Sequence, residues 1–169
     1  MTKTMFKAKC IVRGVKDRHT LDRVEDGAIL YEDGVILAIG PAADLLREHP
    51  DAAVQGSDDL IILPGFVNSH HHVGLTPLQL GSKDLALEQW LSSRLSARPV
   101  DRYLDTLYSA FEMIASGITT VQHIHGWTAG PLDAIFDTAQ QILRAYRTIG
   151  MRASCSYAVR EQNRLIYES

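Results

Sequence analysis

Two stretches of helical periodicity, each closed by a glycine and each followed at once by a short strand-like segment, constrain this chain more than any other feature. In the first, Leu104, Leu107, Tyr108, Phe111 and Ile114 recur at intervals of three and four behind Asp101, a residue suited to capping a helix. Gly117 stands where the chain needs a left-handed exit, and residues 118–125 then read as a strand. In the second, Leu132, Ile135, Phe136, Ala139, Ile142, Leu143 and Tyr146 share one stripe between Pro131 and Ile149. Gly150 closes it, and residues 151–159 read as the next strand. The apolar run 60–63 opens the series, ahead of a turn-like segment at 64–69. Parallel strands cannot be joined by a tight turn and need a crossover, so strands alternating with helical stripes predict an α/β fold. A doubly wound sheet and a (β/α)8 barrel both satisfy that pattern.

Ahead of residue 60 the rhythm differs. Residues 6–12, 27–31 and 35–39 read as short strands, and Asp33-Gly34 between two of them signals a tight hairpin because glycine tolerates positive φ. Residues 41–49 suit a short helix that begins at Pro41, carries Leu45 and Leu46 on one side and stops at Pro50. The predicted boundary therefore separates a β-rich unit, 1–59, from an α/β unit, 60–169. The first has few strands, and its apolar face needs a neighbour.

The chain's 169 residues are 46% hydrophobic and 22% charged, enough for a buried core. Its net charge is −3 and its basic residues are scattered, which argues against nucleic acid as a partner. No apolar run approaches the roughly 20 residues that cross a bilayer, and residues 1–14 alternate lysine with apolar residues. A cytoplasmic protein with no membrane partner is the expectation. Cys10 and Cys155 follow no metal-finger or redox spacing, which suits inert thiols in a reducing compartment.

Chemistry concentrates in three consecutive histidines, His70, His71 and His72. On an extended strand alternate side chains share a face, so His70 and His72 aim two imidazole nitrogens at one ion while His71 points away. Imidazole suits zinc, iron, copper or nickel, and a catalytic site normally takes about three protein donors, so further ligands must come from elsewhere. His123 and His125, two apart near the end of a predicted strand, also share a face. They are candidates for a ligand, for bracing a ligand or for touching substrate. Asn68, two before His70, falls on the histidine face by the same count and is expected to brace the strand end. Gln79, in the loop that follows, and Arg160, with Gln162 and Asn163 after the third strand, are candidate substrate contacts. Trp90 shares a stripe with Leu87 and Leu91 and is expected to pack.

Taken together, Leu63-Pro64-Gly65-Phe66-Val67-Asn68-Ser69-His70-His71-His72 and Ala115-Ser116-Gly117-Ile118-Thr119-Thr120-Val121 resemble the opening segments of the amidohydrolase superfamily, in its cytosine deaminase and chlorohydrolase-related branch. The resemblance implies a β-sandwich segment of a composite domain over 1–59. It implies the first three or so βα units of a metal-dependent (β/α)8 TIM barrel over 60–169. His70 and His72 become the first two metal ligands, at the end of barrel strand one, and the cofactor a divalent metal, zinc with iron as the alternative. The family's remaining ligands come from later strands: histidines from strands five and six, an aspartate from strand eight and, in two-metal members, a carbamylated lysine from strand four. Those positions and the general acid and base fall outside this sequence, so the catalytic residues are unknown. Only about 110 residues follow the β-rich unit, against roughly 250 in a full barrel. The resemblance thus implies the N-terminal portion of a hydrolase that cleaves C–N or C–Cl bonds of a nitrogen heterocycle or amide-like small molecule by metal-activated water. The competing expectation is a catalytically incomplete piece that acts as a binding or assembly module or as half of a split enzyme. Either way a complementary chain or self-association is the expected partner.

Overall fold

The computed structural model describes residues 3–72, 81, 83–93, 98, 100–126 and 131–158. Contacts divide the chain into two compact units, Met1–Pro64 and Gly65–Ser169. The first holds β1 (Thr4–Asp17), β2 (Thr20–Glu32), β3 (Val35–Pro41), α1 (Ala42–Glu48) and β4 (Ala53–Ile62). Its sheet runs β3-β2-β1-β4, antiparallel except where β1 meets β4. Asp33 and Gly34 both take positive φ, 50° and 78°, which matches the right-handed twist of β2 and β3 and closes the expected hairpin. Met5, Ala28 and Leu30 from the sheet pack with Ala42 and Leu45 of α1 into a small core.

Two expectations change here. Residues 60–62, read as the opening of the α/β series, belong to β4 and pair with β1, as Cys10↔Ile61 and Ile11↔Ile62 show. A run that is apolar throughout announces a strand without saying which sheet it joins, and here Leu60 and Ile61 stay exposed in that sheet. Among the described residues this unit is also one sheet with one helix, and the second layer that a sandwich requires is not among them. Val35, Ile36, Leu37, Val54 and Ile61 stay exposed.

The second unit holds β5 (Phe66–His71), α2 (Leu87–Ser92), α3 (Arg102–Ala115), β6 (Ile118–His125), α4 (Leu132–Ile149) and β7 (Arg152–Tyr157). Its three strands are parallel with β6 in the centre, as the strand and helix rhythm demanded. Asp101 caps α3 by accepting a 2.9 Å hydrogen bond from the Leu104 amide, and Gly150 ends α4 at φ 72°. The segment 64–69, read as turn-like, is strand from Phe66 onward, because Phe66 and Val67 favour extended backbone and only Pro64-Gly65 turns. Gly65 is required for close approach: a Cβ there would collide with the Thr119 side chain. The Phe66 amide donates to the Gly117 carbonyl at 2.9 Å, so the two motifs quoted above meet at the starts of β5 and β6. None of the helices among the described residues is long and apolar enough to cross a membrane.

The core of this unit is Ala110 and Met113 of α3, Val121 of β6, Ile142 and Tyr146 of α4, and Met151. That is not the face the helical periodicity favoured. On α3 the buried positions are Asp105, Thr106, Ala110 and Met113, while Leu104, Tyr108, Phe111 and Ile114 are exposed, Phe111 by 59%. On α4, Ile142 and Tyr146 point inward but Leu132 and Phe136 do not. Small residues let α3 lie close on the strands, and the larger stripe turns outward with no cover among the described residues. Trp90 of α2 is half-buried beside an exposed Leu87. The packing predicts unequal costs on α4 in this 169-residue chain. Ile142→Ala should lower the urea-derived unfolding free energy by about 2–5 kcal/mol. Phe136→Ala, 65% exposed, should change it by less than about 0.5 kcal/mol.

Candidate metal centre

The histidine triplet sits at the C-terminal end of β5. His70 Nε2 and His72 Nε2 lie 3.0 Å apart with their rings at 80°, so the two side chains converge on one point. The tautomer of His72 follows from its other nitrogen. Nδ1 lies 2.9 Å from the Ile124 carbonyl, which only accepts, so Nδ1 carries the proton and the neutral ring presents a lone pair at Nε2. His70 then donates its own Nε2 proton to that lone pair in the metal-free protein, and a cation would displace this proton. Two nitrogens held about 2.05 Å from a tetrahedral zinc stand ~3.3 Å apart, and a 3.0 Å separation corresponds to an angle of ~94° at the ion. The pair therefore fits a first-row divalent metal as two of its ligands. Among the described residues no group of three His, Cys, Asp or Glu converges to complete a set.

His71 points away from this pair, as the strand alternation predicted. Its Nε2 lies 3.3 Å from Ser109 Oγ on α3, and burial first, then the charge of neighbouring His72, holds its pKa below the usual histidine value. Asn68 does not share the histidine face. An irregularity in the β5–β6 pairing between Asn68 and His71 puts both against α3, with Asn68 Nδ2 3.7 Å from Met113 Sδ. Asn68 Oδ1 accepts from the His70 amide at 3.2 Å and so ties the irregular turn of strand that carries His70 and His72.

His123 and His125 do share a face, and it is the one that carries Val121 into the core beneath the helices. His123 is 0% exposed, its Nδ1 is 2.8 Å from the Tyr146 hydroxyl on α4, and its ring lies edge-on to His71 with centroids 6.1 Å apart. The alternate residues face the other way: Gln122 Nε2 donates to Ser156 Oγ at 3.1 Å across to β7. Gln79 and Arg160, with Gln162 and Asn163, lie outside the described residues. The pattern search missed Ser109, the Ile124 carbonyl and Tyr146. A backbone carbonyl leaves no mark in sequence, but Tyr146, a polar tip on an apolar stripe, was open to suspicion as a buried partner.

The amidohydrolase family profile matches residues 61–168, nearly all of the unit that carries these histidines. The chain belongs to the amidohydrolase family. Residues 27–52 match a second profile, the bacterial imidazolonepropionase-like composite domain. This amidohydrolase chain is 32% identical over 139 residues to 5-methylthioadenosine/S-adenosylhomocysteine deaminase 1 of Syntrophus aciditrophicus, covering 79% of this chain and 29% of that protein. In fold it is similar to a triazine hydrolase from Arthrobacter aurescens, at TM-score 0.72 and 18% identity, over 97% of this chain and 37% of that one. It is also similar to an adenosine deaminase from Xanthomonas campestris with bound zinc, at TM-score 0.69 and 24% identity, over 90% of this chain and 33% of that one. The amidohydrolase chain thus spans less than a third of the length of the curated relative it matches.

Burial, followed by the charge of His125, pushes the pKa of His123 down to about 3; burial, followed by Arg102, pushes that of His125 down to about 4. Both folded values lie below the ordinary 6.5, so above that pH neither state takes a proton and the histidines favour the native fold fully. As pH falls below about 6.5 the unfolded amidohydrolase chain takes up protons that the native one refuses, and stability is lost down to the folded values. The unfolding free energy, followed by urea titration from pH 7 to 5, should fall by roughly 1.4 kcal/mol per pH unit for each ring below 6.5. A flat profile would contradict the burial of both histidines in neutral form.

Proposed function

We propose that this chain forms the opening part of a metal-dependent (β/α)8 barrel hydrolase, with His70 and His72 as two ligands of a divalent cation, zinc with iron as the alternative. The observation that carries the proposal is the 3.0 Å approach of the two Nε2 atoms, with His72 held in the required tautomer by the Ile124 carbonyl. When bound, the cation supplies acidification of a water and polarisation of the electrophilic carbon. The chain's own residues do the rest of what this portion contributes. His70 and His72 present lone pairs from the C-terminal end of a parallel strand, the end at which barrels of this kind place their reactive groups. Asn68 holds the His70 amide, and His71 anchors the triplet to Ser109 of α3.

The substrate class is a small nitrogen heterocycle or amide-like molecule whose C–N or C–Cl bond is hydrolysed. The deaminases and the triazine hydrolase among the similar proteins support that class by name. In a deamination, water's oxygen joins the ring carbon and the amino group leaves as ammonia after gaining a proton. Gln79 and Arg160 remain candidates for contacting the substrate, and the protein is proposed to work in the cytoplasm. The first unit contributes part of a sandwich-like composite domain, which the profile match over 27–52 supports.

A second reading is favoured by one specific observation. Leu104, Tyr108 and Phe111 of α3, and Phe66 and Val67 of β5, are exposed. Such apolar surface is covered when further polypeptide packs on it, from the same protein or from a complementary chain, which is the assembly-module alternative.

Metal analysis and an ammonia-release assay on the full-length protein test the proposal. The wild type should hold about one zinc or more per chain, and His70→Ala or His72→Ala should each lower deamination of purine or triazine substrates by a factor of at least about 1,000, in keeping with the loss of metal-assisted catalysis. Metal content and turnover unchanged by both substitutions would leave only the assembly reading.

A further inference from the structure

The β5–β6 ladder ends at His71↔His123, whereas β6 continues to pair with β7 as far as His125↔Tyr157. One residue beyond the last described β5 partner, the Ile124 carbonyl accepts from the His72 imidazole at 2.9 Å. What fixes the height and twist of β6 at this point also fixes where His72 aims. The residues flanking Ile124 point under the helices, and His123 is tied to α4 through the 2.8 Å contact with the Tyr146 hydroxyl. Its Nε2 is buried without a hydrogen-bond partner among the described residues, so the Tyr146 contact is the ring's one described hydrogen bond. Both residues are essentially inaccessible, Tyr146 at 2% and His123 at 0%. A hydrogen bond in such surroundings is strong and costly to leave unmade.

We infer that Tyr146 and His123 are positioning residues: their hydrogen bond clamps the end of β6 to α4, so that the Ile124 carbonyl meets His72 Nδ1 and turns Nε2 toward His70. The clamp reaches His72 from α4 by way of His123 and the Ile124 carbonyl. This inference rests on the metal-centre reading for its purpose, although the clamp itself exists in the metal-free protein. It also accounts for a histidine at position 123, where a core facing Val121 and Ile142 would otherwise take an apolar residue.

The test uses Tyr146→Phe, which removes the hydroxyl and keeps the ring, with Ile142→Val as a control that loosens the same core without touching His123. In the metal-free protein, nitrogen-15 NMR follows solvent exchange of the His72 Nδ1 proton, and zinc affinity is measured separately by competition with a chelator. Loss of an outer partner of a ligand typically costs 10–100-fold in metal affinity, so Tyr146→Phe should speed exchange and weaken zinc binding each by about tenfold. Ile142→Val should leave exchange within about twofold of wild type, as a change in packing alone should. Exchange in Tyr146→Phe equal to wild type, or equal acceleration in Ile142→Val, would overturn the inference. Failure of the metal reading looks different: zinc would bind His70→Ala as tightly as wild type, while Tyr146→Phe still released the His72 proton.

Discussion

The hydrogen bond from His72 Nδ1 to the Ile124 carbonyl is the contact on which the site depends. It decides which nitrogen of His72 carries the proton and therefore which carries the lone pair, and it rotates the ring until that lone pair lies 3.0 Å from His70 Nε2. Without it, two histidines on a strand end are two exposed side chains with several rotamers each. With it, the His72 ring is oriented by the fold itself, and the entropy of ordering that ring is lost during folding. Among the described residues the bond lies one residue past the last β5–β6 pair, His71↔His123, so the end of the strand sets where the His72 ring aims.

The surroundings extend the same logic outward. On the helix side of the strands lie His71, half-buried, and His123 and His125, buried, and desolvation is the main cause that lowers the pKa of all three. Buried imidazoles that stay uncharged brace the strands without opposing a cation on the other face. Ser109 and Tyr146 give two of them partners, and Asn68 ties the irregular strand turn between. The neighbourhood of the three consecutive histidines is thus two layers, a converging pair and a support beneath it.

Much of this was legible in the residues, for reasons that can be stated. His70 and His72 were readable because a strand has a period of two, and a pair two apart needs no further information to share a face. The ends of α3 and α4 were readable because Asp101, Gly117 and Gly150 each do something that few other residues do. The side of Asn68 was not, since an irregular step between Asn68 and His71 shifts the count by one and leaves no composition signal. His123 and His125 were placed on one face correctly, but Val121 of the same parity was the clue to which face. The α3 stripe misled for a different cause. Periodicity finds the largest apolar side chains, whereas close packing of a helix on strands selects small ones, here Thr106 and Ala110, and leaves the large stripe exposed among the described residues. The run 60–63 shows the same limit, since its apolar content announces a strand but not its sheet, and Leu60, Ile61 and Leu63 stay exposed.

Family membership and geometry meet on one atomic claim, that His70 and His72 hold a single cation between their Nε2 atoms. Crystals of the zinc-loaded protein, measured at the zinc absorption edge, test it directly. The account predicts one anomalous peak about 2.1 Å from both Nε2 atoms. A zinc peak remote from both rings, or no peak with the two nitrogens still 3.0 Å apart and sharing a proton, would contradict it.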